Sequence, residues 1–210
     1  GNVLVAVVAF TATAGAGATS QTAGTTGWVN LAEVGSAATA LARTAIWWKP
    51  ATGGDAAPSF SSTTSGTVAS FCTRYELSGA NGYVAVTTGT NAVSAGTVIT
   101  QTATTSGNVS AAGEYGIAGF SRERVTGGPS VTATTYTLDT SNTGVSSTGH
   151  FATMHLANPA SGATSSATVN YSGTGTTSDG AGAVAVFGLA TTGPTVYALR
   201  GPVRARRRTL

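Results

Sequence analysis

The runs Ala45-Ile-Trp-Trp-Lys-Pro-Ala-Thr-Gly-Gly-Asp55 and Ser70-Phe-Cys-Thr-Arg-Tyr-Glu-Leu-Ser-Gly79 decide the fold class. Apolar residues alternate along 44–48 and again along 68–77, and Gly, Pro and Ser bound each run, which is the pattern of β-strands joined by turns. This stretch also holds Trp47, Trp48, the only lysine (Lys49), the only cysteine (Cys72) and the acids Asp55 and Glu76. A weaker copy follows, Phe151-Ala-Thr-Met-His-Leu-Ala-Asn-Pro-Ala160 and then Ala183-Val-Ala-Val-Phe-Gly-Leu-Ala190. In both copies one strand ends at an Xaa-Pro-Ala turn and the next ends on an aromatic. We read a degenerate internal duplication, copy one spanning about 1–110 and copy two about 111–199, each giving strands to one sandwich.

Composition agrees with strands. Charged residues make up 8% of the chain, against about a quarter in ordinary domains, and Gly, Ala, Thr and Ser dominate. Such residues favour short strands and turns over helices. An apolar fraction of 41% argues against disorder. The formal charge of +3 is uneven, because Arg200, Arg204, Arg206, Arg207 and Arg208 lie in the last eleven positions. The body is near neutral with a basic arm at 200–210, so no broad nucleic-acid surface is expected. Val3–Phe10 is too short to cross a membrane, and no charged region marks a signal peptide.

In chain order, Val3–Phe10 reads as a strand buried on both faces, one that needs a partner on each side. The expectation is that an upstream segment or a neighbouring chain supplies one of them. Thr11–Thr26 reads as an exposed loop, Gly27–Leu31 as a strand anchored by Trp28, and 33–42 as a loop into the strand at 43–48. Further strands are expected at 59–62, 68–77, 83–87, 98–104, 115–120, 131–138, 150–156, 167–171 and 181–190, with an edge segment at Val196–Leu199. Tyr115–Phe120 matches the opening strand of copy one. The charge cluster Arg122-Glu-Arg124 falls in a polar interval. The fold class expected is all-β, an antiparallel β-sandwich of jelly-roll type.

Chemistry is sparse. A hydrolytic triad needs a histidine beside a nucleophile and an acid, and the two histidines, His150 and His155, are five apart, on opposite faces of one strand. No zinc or calcium spacing is present, so no catalytic, cofactor or metal residue is assigned. Asp55, Glu76, Glu114 and Asp139 read as solvated turn acids, and Cys72 as a small buried hydrophobe. Gly173–Gly180 lacks the Gly-Lys-Ser/Thr of a phosphate loop. Trp47 and Trp48 face opposite ways, so one is expected in the core and the other, with Lys49, on an interface or ligand surface.

Gly1-Asn-Val-Leu-Val-Ala6, Gly27-Trp28, Ala45–Lys49 with the 51–55 turn, and Tyr75-Glu-Leu-Ser-Gly79 together resemble β-sandwich structural proteins of tailed bacteriophages, especially minor tail and virion-surface proteins of actinobacterial phages. The resemblance covers most of the chain, the second half in rhythm only. It implies a non-enzymatic virion component, of the tail or decorating the capsid, on the particle's extracellular surface. Other virion subunits would be its partners, in a homo-oligomer or lattice, with host-cell glycans as an attachment target and no nucleic acid or membrane insertion. The arm at 200–210 would dock on acidic neighbours. The alternative is a secreted bacterial carbohydrate-binding module.

Overall fold

The computed structural model describes residues 2–12, 21–36, 42–62, 68–78, 83–96, 100–110, 114–123, 131–142, 149–171 and 178–189. Strand β1, Asn2–Ala12, carries the Val-rich opening, and both its faces are buried. It lies between β4 (Ala42–Pro50) and β6 (Val68–Ser78), with β3 (Val29–Gly35) beyond β4. Val5 stands opposite both Trp48 and Tyr75. The expected outside partner for this strand is therefore corrected, because the two partners it needs come from farther along the same chain.

A second sheet is built from β7 (Tyr83–Gly96), β9 (Tyr115–Arg122), β11 (Thr137–Asn142), β12 (His150–Ala157) and β14 (Ser178–Leu189), in the order β11-β12-β9-β14-β7. An outer sheet of β8 (Thr100–Asn108), β10 (Val131–Thr134) and β13 (Thr164–Tyr171) runs β10-β13-β8. Strands β2 (Gln21–Ala23) and β5 (Phe60–Ser62) form a two-stranded ribbon. Every pairing among the described strands is antiparallel. The protein is an all-β antiparallel sandwich.

Three apolar layers hold it together. Val3, Val5, Val7 and Ala9 face the second sheet and meet Ile117, Phe151, Ala183, Ala185 and Phe187. Their neighbours Leu4, Ala6, Val8 and Phe10 face the ribbon and pack with Trp28 and Trp47. On the far side of the second sheet, Ala118, Phe120, Ala152, Met154 and Val184 meet Ala103, Ala167, Val169 and Tyr171 of the outer sheet. The second sheet is thus covered on both faces at β9 and β14, and the first at β1 and β4, which is why β1, β9 and β14 read as unbroken apolar or small-residue runs and not as alternations. Small residues permit the close approach. A Cβ on Gly119 would lie 2.1 Å from Val7 Cγ1, and one on Gly116 would lie 2.3 Å from the Tyr136 hydroxyl.

The two halves of the chain share one pairing scheme. β1 lies between β4 and β6 as β9 lies between β12 and β14; β3 flanks β4 as β11 flanks β12; β2 pairs with β5 as β10 pairs with β13. The halves meet face to face in reversed order, with β3 over β14 and β6 over β11 and β12. Strands β7 and β8 fall between the halves in the chain and extend only the second, β7 on β14 and β8 on β13. Within a half, the first strand pairs with the sixth, the second with the fifth and the third with the fourth, a nesting shared with jelly rolls. Among the described residues the sheets have four, five, three and two strands, not the paired four-stranded sheets of that fold, so the sandwich is the description that holds.

Several boundaries differ from the sequence reading. The loop expected over Thr11–Thr26 contains β2, whose Gln21 is buried and donates to Val8 O. The single strand expected over 131–138 is two strands in different sheets, divided where Thr135 takes φ 73°. Arg122 ends β9 buried, 5.6 Å above the Tyr171 ring, and is not part of a polar interval. The edge segment expected at Val196–Leu199 lies outside the described residues.

Candidate functional site

Trp47, Trp48 and Lys49 are drawn into the fold. Trp47 is 6% exposed. Its ring centroid lies 5.3 Å from that of Phe60, which meets Trp28 edge-on at 5.6 Å, and its Nε1 donates to Gln21 Oε1 at 3.2 Å. Trp48 points the other way and is half-buried against the core between the large sheets. The expected interface aromatic is corrected: alternation does send the two rings to opposite faces, but the ribbon covers one face and the second sheet the other. Lys49 ion-pairs with Asp55, whose carboxylate also accepts from Thr52 N at 2.9 Å and Thr52 Oγ1 at 3.0 Å. Those donors hold the Asp55 carboxyl at about 2, the Lys49 hydrogen bond being the largest cause. This is a turn clasp at the end of β4. Arg200, Arg204, Arg206, Arg207 and Arg208 lie outside the described residues.

A second constellation joins the halves. Asp139 on β11 accepts from the Tyr75 hydroxyl on β6 at 2.8 Å, and its other oxygen lies 2.6 Å from His155 Nδ1 on β12. The His155 ring stacks on Tyr115, with centroids 5.7 Å apart and planes 9° apart. Burial, and then the Asp139 charge, push the Tyr75 hydroxyl well above the ordinary tyrosine range. An aspartate-bound imidazole is two members of a triad. Among the described residues, no serine, threonine or cysteine is hydrogen-bonded to His155. The arrangement ties one sheet to the other. His150 faces the opposite layer, 6.4 Å from the Tyr171 ring, as five-residue spacing on a strand dictates.

The acids depart from the solvated reading. Glu76 is exposed and accepts from Asn2 at 2.6 Å, but Glu114 is 2% exposed and accepts from Ser110 at 2.6 Å. Asp139 lies in the seam. Glu33, on β3, gathers Gln21 N, Asn30 and Arg43 and so binds the ribbon to the first sheet. Among the described residues, no group of three or more His, Cys, Asp or Glu could hold a metal ion, and no helix is long and apolar enough to cross a membrane.

The third feature is the outer face of β6. Thr73, Tyr75 and Leu77 are buried against the second sheet, while Ser70, Cys72, Arg74 and Glu76 are exposed. The expectation of a buried Cys72 is corrected here. Its parity along the strand turns it outward, and among the described residues nothing over β6 corresponds to the outer sheet over β14. The Tyr75–Asp139–His155 cluster was missed in the sequence because its members are far apart in the chain. One signal was available, since Phe151, Thr153 and His155 share a face of β12.

Comparison of the chain with protein-family models, curated proteins and solved structures finds no match to any of them.

Proposed function

We propose that this protein is a non-enzymatic structural component of a bacteriophage virion, in the tail or on the capsid surface, acting by assembly with other subunits and by adhesion to the host-cell surface. The observation that carries this reading is where the residues of the resemblance lie. Val3, Val5, Trp28, Ile46, Trp47, Tyr75 and Leu77 are buried packing residues, and Lys49 and Asp55 close a turn. These shared positions describe a way of packing a charge-poor β block, which supports a structural role. The carbohydrate-binding alternative needs an exposed aromatic platform, and Trp28 and Trp47 are packed beneath the ribbon against Phe60.

The test is quantitative immunodetection of the protein in purified particles of the phage that encodes it. A fixed copy number per virion is the expected result. Absence from the particle, with sugar binding by the free monomer, would sink the proposal in favour of the alternative.

A further inference from the structure

Among the described residues, the shared pairing scheme leaves one position filled in the second half and open in the first. In the second half, β14 has β9 on one side and β7 on the other. In the first half, β6 has β1 on one side, and among the described residues no strand pairs with its other edge. Eleven residues of backbone, Val68–Ser78, line that edge. Long open edges recruit strands.

What fills the edge of β14 is the chain that leaves the first half. β7 follows β6, begins with Tyr83 opposite Leu189, and passes over β3. The chain that leaves the second half has the same opening. Leu77-Ser-Gly-Ala-Asn-Gly-Tyr-Val84 and Leu189-Ala-Thr-Thr-Gly-Pro-Thr-Val196 run in step, a small polar turn followed by an apolar stretch. Reversing the roles of the halves maps Leu77 onto Leu189, because Val5 pairs with Tyr75 as Tyr115 pairs with Phe187. The link from Leu189 to Thr195 is as long as the link from Leu77 to Tyr83, which already makes the equivalent crossing.

We propose that the open edge of β6 is the acceptor for this chain's own segment Thr195–Gly201, entering antiparallel and placing Thr195 opposite Leu77. Carrying over the register of β7 on β14, with its shift between Val186 and Phe187, sets Val196 opposite Glu76, Leu199 opposite Arg74 and Gly201 opposite Cys72. The basic stretch Arg204–Arg208 then starts from the β6 edge near Val68. The proposal rests on strand order and does not require the virion assignment.

Cys72 provides the test, being the only cysteine and exposed. Gly201→Cys and, one residue away, Arg200→Cys are introduced separately into the full chain and oxidised. Thr209→Cys serves as the control on the same tether. The expected result is a monomeric Cys72 disulfide, identified by peptide mass, forming roughly tenfold faster at 201 than at 209, and faster at 201 than at 200, whose side chain alternation turns to the other face of the strand. Equal rates at all three positions, or disulfide-linked dimers as the main product, overturn the proposal, the second result giving the edge to another copy. A second readout needs no cysteine: hydrogen exchange of β6 amides should accelerate when the chain is ended at Leu189, and unchanged protection likewise overturns it.

Discussion

Gly119 faces Val7 across the interface between the two large sheets. A methyl group there would lie 2.1 Å from Val7 Cγ1 and 3.4 Å from Thr44 Cγ2. Carbon atoms rest at roughly 3.5–4.0 Å, so Thr44 can stay in place while Val7 must give way by more than an ångström, and Val7 is fully buried. Overpacking of this kind costs about 1–3 kcal/mol. We expect Gly119→Ala to destabilise by about 2 kcal/mol, or roughly 4–8 °C in Tm at this size. Val7→Ala alone removes two methyl groups, about 1.6 kcal/mol in transfer plus a cavity contribution, for about 2–3 kcal/mol in total. In the double variant the methyl group added at position 119 occupies the space vacated by Val7 Cγ1. Its cost should be about 1–2 kcal/mol instead of the roughly 4–5 that independent effects would give. Chemical denaturation of the four proteins measures the cycle. Additivity within about 0.5 kcal/mol would refute the argument that these two strands are in direct, space-limited contact.

Trp47→Ala should cost about 3–5 kcal/mol in the same assay, because the ring fills the space between ribbon and sheet; a change confined to ligand binding would contradict its burial. The Asp55 carboxyl is held at about 2 against 3.8 unfolded, so its contribution to stability is complete above pH 4 and disappears as the pH falls through 2. Asp55→Asn should flatten that part of the pH–stability curve, and an unchanged curve would disprove the clasp. Burial raises the hydroxyl pKa values of Tyr75, Tyr136 and Tyr171, so their protonated forms favour the folded state and stability falls as pH rises above about 10. Tyrosinate absorbance should show these three among the six tyrosines ionising only with unfolding, and free titration of all six near 10 would refute their burial.

The sequence made the strands legible because short-range alternation reports local geometry directly. The periods in 44–48 and 68–77 become β4 and β6, and the Xaa-Pro-Ala turns mark the ends of β4 and β12. It left layer number obscure. A Val-rich strand needs cover on two faces, but nothing local in Gln21-Thr-Ala23 or Phe60-Ser-Ser62 signals that these short pieces return over it, so one of Trp47 and Trp48 read as an interface residue. Cys72 read as buried for a related reason: parity shows that neighbouring residues face opposite ways, but not which face another sheet will cover. Tyr75, Asp139 and His155 converge only through the stacking of the halves, which no spacing along the chain encodes.

The placement of β7 and β8 has a consequence for the order in which the chain can acquire its structure. The described strands of the first sheet all lie within residues 2–78, so they exist together once β6 has emerged from the ribosome. β7 follows at once, yet the strand it pairs with, β14, begins at Ser178. β7 waits for the synthesis of roughly eighty residues and β8 for roughly fifty-five, several seconds at about 5–20 residues per second. Pairings this far apart in sequence are slow to close. The nascent chain therefore passes through a half-built stage with two strands waiting, and it is at that stage that a chaperone or a neighbouring nascent chain would meet it.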